Sequence, residues 1–79
     1  MTHELKCWPE FFSAVQRWDK VFEIRHNDRD FKVGDLLWLR EWNPQTKEYT
    51  GASVNRSISY ITDFPNGLRD GYICMGLKP

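Results

Sequence analysis

The sequence has no long apolar run and no excess of charge of either sign. Its 79 residues include eleven basic and eleven acidic side chains, so the formal net charge is zero. Proteins that coat duplex nucleic acid neutralise many phosphates, and this balance argues against that class while leaving room for a local basic cleft. No window approaches the roughly 18 apolar residues of a membrane span, and the N-terminus lacks a signal-peptide pattern. We therefore expect a cytoplasmic protein without a membrane partner.

Cysteine and histidine are scarce, with two of each. Cys7 and Cys74 lie far apart, each inside an apolar run, which is typical of reduced and buried thiols. Neither they nor the histidines show the spacing of paired metal ligands, so we predict no zinc and no other cofactor. No histidine has a serine or cysteine partner at an informative spacing, so no catalytic residue is predicted either.

Aromatic residues are plentiful, with four tryptophans, three tyrosines and five phenylalanines. Each can bury roughly 150–250 Å², so we expect aromatic side chains to dominate the core. The length suits one domain over residues 1–79, and the chain has no repeats, linkers or low-complexity segments.

Apolar periodicity predicts one helix and five strands, and hence a small α+β barrel with its helix near the N-terminus. The helix begins at Pro9, whose missing N–H is no loss in a first turn, and presents Phe11, Val15 and Trp18 to the core. Gly34 and the segment 43–47 mark turns. The predicted strands are 3–8, 21–25, 36–42, 49–62 (with a possible interruption at Gly51) and 71–77, and the predicted helix is 9–17.

The second strand carries an unusual density of charge. Phe22 and Ile24 alternate with Glu23 and Arg25, so the apolar pair is predicted to face the core and the charged pair to share the opposite face. Two interpretations stay open for the charged pair: an ion pair on a solvated sheet, or one wall of a binding cleft.

Other polar positions are divided between structural and binding roles. Lys6 and Trp8 lie on one face of the first strand and are predicted to project into the same cleft. Asp28 is expected to close a turn. For Arg29 two roles are equally supported, one in the turn and one in contact with a ligand. On the fourth strand, Arg56 is placed at the cleft rim and Tyr60 is expected to pack in the core.

Three segments carry a resemblance to a known family: HELKCWPEFFSAV, KVFEIRHNDRDFKVGDLLWLREW and GYICMGL. Together they resemble a small branch, mostly bacterial and phage, of the ASCH family in the PUA-like superfamily. The family hallmark is Gly-x-Lys-x-x-Glu-x-Arg, which Lys20, Glu23 and Arg25 match. Trp18 stands where the glycine is expected, either covering the helix end or partly filling the cleft.

The resemblance implies a PUA-like β-barrel of about five strands with a cleft at the helix, and binding of short RNA or a nucleotide. Lys20 and Arg25 would contact phosphate or base oxygens, Glu23 would orient Arg25 or accept from a base, and Trp8 would stack. Some relatives instead hydrolyse acetylated cytidine nucleosides with a threonine at the position of Glu23, so a small hydrolase is the alternative function. A protein-binding regulator is a third. The predicted binding residues are Lys6, Trp8, Lys20, Glu23, Arg25, Arg29 and Arg56.

Overall fold

The computed structural model describes all 79 residues as five strands and one short helix, close to the predicted bounds. No helix in it is long and apolar enough to cross a membrane. In chain order the elements are β1 (Thr2–Cys7), α1 (Pro9–Gln16), β2 (Phe22–His26), β3 (Leu36–Asn43), β4 (Glu48–Thr62) and β5 (Tyr72–Lys78).

The strands form one curled sheet, a half-barrel with the order β1-β3-β4-β5-β2. β1 runs parallel to β3, and every other pair of neighbours is antiparallel. β1 and β2 are the two edge strands, and we call the gap between them the seam. Two arginine side chains cross it: Arg25 Nη2 donates to Lys6 O at 2.8 Å, and Arg29 Nη1 donates to Glu4 O at 2.6 Å. Guanidinium groups thus satisfy β1 carbonyls that a neighbouring strand would otherwise bond.

The core is mainly aliphatic, which corrects the expectation that aromatic residues dominate it. Of the phenylalanines, tyrosines and tryptophans only Phe12 and Phe31 are buried, so none of the four tryptophans is buried. The buried aliphatic residues include Leu5 of β1, Leu37 and Leu39 of β3, and Ile73 of β5. The complete core cluster is Leu5, Cys7, Phe12, Val15, Phe31, Leu37, Leu39, Ile58, Ile73, Met75 and Leu77.

β2 alternates as predicted, but its faces are reversed. Phe22 and Ile24 are 42% and 49% exposed, whereas Glu23 is only 4% exposed. Glu23 pairs with Met75, and Arg25 pairs with Ile73, so both charged residues share the inner face with buried residues of β5. The buried carboxylate of Glu23 is tolerated because Lys20 and Arg25 form ion pairs with it.

The helix also turns a different side to the core than predicted. Phe12 and Val15 are buried, while Phe11 and Trp18 are exposed. Trp18 lies beyond the helix with φ +66°, where its N–H donates to Val15 O and the next N–H, of Asp19, donates to Ala14 O. This is a Schellman motif, whose left-handed position usually holds glycine. The turn therefore forms even though tryptophan takes the place of the expected glycine.

β4 contains two irregularities that periodicity alone does not locate. Gly51, with φ +98°, lies in the shift of register opposite Arg40 and Trp42. A second shift between Ile58 and Tyr60 reverses the facing of the residues that follow it. Tyr60 is consequently 69% exposed, so its predicted packing in the core is wrong.

Candidate functional site

A cavity of about 720 Å³ lies between the end of β1, the helix α1 and the start of β2. We call it the seam cavity, since it occupies the seam at the helix end. Five of the seven predicted binding residues line it, namely Lys6, Trp8, Lys20, Glu23 and Arg25. Because these residues come from two edge strands and from the loops on either side of the helix, the curling of the sheet is what brings them together.

A charged cluster forms the polar part of the cavity wall. Lys20 Nζ donates to Glu23 Oε1 at 2.6 Å, and Arg25 Nε donates to Glu23 Oε2 at 2.7 Å. The Glu23 side chain is 6% exposed, against 17% for Lys20 and 28% for Arg25. The buried carboxylate therefore holds both cations at the cavity, and both of its oxygens are engaged.

The two cations keep donors free for a ligand. Lys20 has three N–H donors, of which one binds Glu23 and another binds Phe22 O at 2.8 Å. Arg25 uses Nε and Nη2 on Glu23 and Lys6 O, which leaves Nη1 without a partner. The cluster thus presents fixed N–H groups, and its one anion and two cations leave it with a single positive charge.

Apolar side chains form the rest of the wall. Trp8 and Phe11 stack with ring centroids 6.4 Å apart, and Lys20 Nζ lies 5.0 Å from the centroid of the Phe22 ring. Trp8, Phe11, Phe22 and Ile24 are each between 42% and 49% exposed. Sequence reasoning assigned the last three to the core, because a helical or alternating apolar pattern does not distinguish a core face from a cavity wall.

Cys7 also lines the cavity, but its thiol is not activated as a nucleophile. Burial, reinforced by the nearby Glu23 carboxylate, raises the pKa of the Cys7 thiol to about 11. Since the thiolate is the nucleophile, this cysteine is protonated and inert at neutral pH. Cys7 and Cys74 are both free thiols, and nowhere do three histidine, cysteine or acidic side chains gather in a way that would hold a metal ion.

The remaining two predicted residues lie elsewhere. Arg29 crosses the seam to Glu4 O and lines a smaller cavity of about 270 Å³. Arg56 donates from Nη2 to Val15 O at the end of the helix, and its guanidinium carbon is 3.9 Å from the centroid of the Trp18 ring. Trp18 therefore covers the helix end together with Arg56, and it does not line the seam cavity.

Comparison with known proteins adds a family and two relatives. The model of the family described as "Domain of unknown function (DUF3850)" matches residues 2–77. An uncharacterized 12.9 kDa protein of Escherichia phage P2 is 35% identical over 68 residues, which are 86% of this chain and 61% of that protein. A putative B3 domain-containing protein of Arabidopsis thaliana, At2g31460, is 33% identical over 78 residues, which are 96% of this chain and 30% of that protein. The chain thus spans less than two thirds of the length of each of these relatives.

Proposed function

The chain belongs to the DUF3850 family, and we propose that it is a binding module that holds an unpaired RNA base or a nucleotide in the seam cavity. The observation that carries the proposal is the meeting of a Lys20–Glu23–Arg25 cluster with stacked aromatic rings in one cavity. Proteins bind unpaired bases with the same combination of aromatic platforms and charged hydrogen-bonding groups.

The apolar wall suits the base. The indole of Trp8 and the ring of Phe11 are both about half exposed and form a ready surface for a planar ligand. Stacking of one base on an aromatic side chain contributes about 1–3 kcal/mol. Half-exposed aromatic rings gathered around one cavity are uncommon on a small soluble domain, and they support the proposal of a ligand site there.

The charges suit a single phosphate or a base carbonyl. Three cationic side chains (Lys6, Lys20 and Arg25) and two anionic ones (Asp19 and Glu23) line the cavity, which therefore carries one net positive charge. Glu23 acts as a positioning residue, because its two oxygens already hold Lys20 and Arg25. The free donors of Lys20 and Arg25 are the ligand contacts.

We also propose that the chain is a PUA-like barrel of the ASCH type. Two observations support this relationship. Lys20, Glu23 and Arg25, which match the ASCH hallmark, form one cluster at a cavity beside the helix. Trp18, at the hallmark glycine position, has the positive φ that glycine adopts most easily.

A pair of tryptophan variants tests the binding proposal. Trp8→Leu removes the stacking ring from the cavity, whereas Trp18→Leu removes a similarly exposed ring outside it. We expect Trp8→Leu to weaken binding of uridine monophosphate or a short oligouridine about fivefold or more, since it removes the ring on which one base would stack. Trp18→Leu should bind like the wild type. Isothermal titration calorimetry at two salt concentrations measures both affinities.

The wild-type affinity should also fall with added salt, because each phosphate contact releases counterions. Two results would overturn the proposal: no salt-sensitive binding of either ligand by the wild type, or equal losses in the two tryptophan variants.

A further inference from the structure

A second set of aromatic and basic side chains lies on the outer face of the sheet, beside the seam cavity. Trp38, Arg40 and Trp42 alternate along β3, opposite to the buried Leu37 and Leu39. Residues paired across a sheet share a face. The strand register therefore adds Glu4 and Lys6 from β1, and Ser53, Asn55 and Tyr49 from β4. We call this set the outer strip.

Cations in the outer strip lie against aromatic rings. The Lys6 ammonium is 4.5 Å from the centroid of the Trp42 ring, and the Arg40 guanidinium carbon is 3.8 Å from that of Tyr49 and 4.9 Å from that of Trp38. Arg40 Nη1 also donates to Glu4 Oε2 at 2.7 Å. Rings and guanidinium planes ordered in this way offer flat surfaces on which further bases can stack.

Lys6 joins the outer strip to the seam cavity, because it lines the cavity and also contacts Trp42. Two cations and one anion give the strip one net positive charge, in a chain whose net charge is zero. Ser53 and Asn55 are exposed, so this part of the outer strip is open to solvent. The two surfaces together form a continuous basic and aromatic path that is longer than one nucleotide needs.

From this continuity we propose that the ligand is single-stranded RNA, with one nucleotide in the seam cavity and its neighbours along the outer strip. The proposal rests on the proposed function and specifies its ligand class: a strand of several nucleotides and not a free mononucleotide. Charge complementarity supports this occupant, since a phosphate backbone meets Lys6 and Arg40 in succession along the path.

Two asparagine variants test the path without disturbing the core. Asn55→Asp places a negative charge on the outer strip, and Asn66→Asp adds the same charge at an exposed position in the loop between β4 and β5. Like charge beside the path repels the RNA backbone, so Asn55→Asp should weaken binding of a fluorescein-labelled oligouridine several-fold, with Asn66→Asp unchanged. Both variants should bind uridine monophosphate like the wild type.

Trp38→Leu provides the second measurement, since Trp38 contacts Arg40, which does not line the seam cavity. It should weaken oligouridine binding about fivefold or more while leaving uridine monophosphate binding unchanged, because one stacking surface is lost outside the cavity. Tighter binding of the oligomer than of the monomer, lost in both outer-strip variants, supports the proposal. Equal affinities for the two ligands, or an oligomer affinity that Asn55→Asp does not change, would overturn the extended path and leave mononucleotide binding in the cavity intact. If the wild type binds neither uridine monophosphate nor the oligouridine, the proposed function itself is overturned.

Discussion

At the scale of single residues, Glu23 is the position on which the site depends. It is a nearly buried carboxylate, and its oxygens are held by Lys20 at 2.6 Å and by Arg25 at 2.7 Å. Removing one partner of a buried ion pair is costly, because the other charge keeps its desolvation penalty. Loss of Lys20 or Arg25 is therefore expected to lower stability as well as any binding in the cavity. Both cations also support the fold.

Replacing Lys20 by methionine should therefore reduce the free energy of unfolding. We expect a loss of about 1–3 kcal/mol, less than for a fully buried isolated pair, because Arg25 still compensates Glu23. Lys32→Met is the matched control, since Lys32 pairs with Asp30 at 3.2 Å where both side chains are mostly exposed. It should cost no more than about 1 kcal/mol. Urea denaturation measures both, and equal losses would contradict the buried-pair argument.

At the scale of elements, the helix and β2 show how an apolar residue can serve a cavity and not the core. Phe12 is 2% exposed and belongs to the core cluster. Phe22 is 42% exposed and lines the seam cavity on an edge strand. The side chains of Phe22 and Ile24 point away from the core on this edge strand, so both remain about half exposed beside the cavity.

Two phenylalanine truncations separate the roles. Phe12→Ala should cost about 3–5 kcal/mol, a large part of the stability of so small a domain. Phe22→Ala should cost less than half of that, because much of its ring is already in water in the folded state. Urea denaturation provides the comparison, because a shift of the midpoint at an unchanged slope reports a change in the free energy of unfolding. Equal costs would mean that Phe22 packs in the core as the alternation predicted.

At the scale of the whole molecule, β1 is tied to the start of β3 by a polar contact as well as by the sheet. His3 Nε2 and Asp35 Oδ2 are 2.8 Å apart, and the His3 ring lies 4.6 Å from the Phe31 ring. The bond to His3, helped by the amino-terminal amine and by the Lys32 N–H, holds the pKa of Asp35 below its ordinary value of 3.8. The unfolded chain therefore binds this proton more tightly than the folded chain.

This difference gives the stability a definite pH dependence. The contribution of Asp35 is complete above its ordinary pKa of 3.8 and is lost as the pH falls through the lower folded-state value. The melting temperature of the wild type should exceed that of Asp35→Asn at neutral pH, and this gap should narrow below about pH 4. Asp30→Asn, at an exposed site, should show only a small gap at every pH. A gap for Asp35→Asn that stays constant down to about pH 2 would contradict the assignment.

The sequence by itself determined what depends on local geometry. Apolar periodicity and turn residues located the helix and all five strands with ends correct to about two residues. Alternation along β2 correctly placed Glu23 and Arg25 on one face, because side chains two apart in a strand always point the same way. The family resemblance, and not local geometry, added Lys20 to this pair, and all three residues line one cavity.

The tertiary structure alone decided which face is inside and which distant groups meet. Alternation is symmetric between the two faces, and only pairing with the buried residues of β5 turned Glu23 inward. A single extra residue in β4 was enough to turn Tyr60 out to solvent. Arg29 and Arg56 donate hydrogen bonds to backbone carbonyls that are 25 and 41 residues away in the chain. Such contacts depend on how the sheet curls, and no local pattern encodes that curvature, since it arises from the pairing of all five strands.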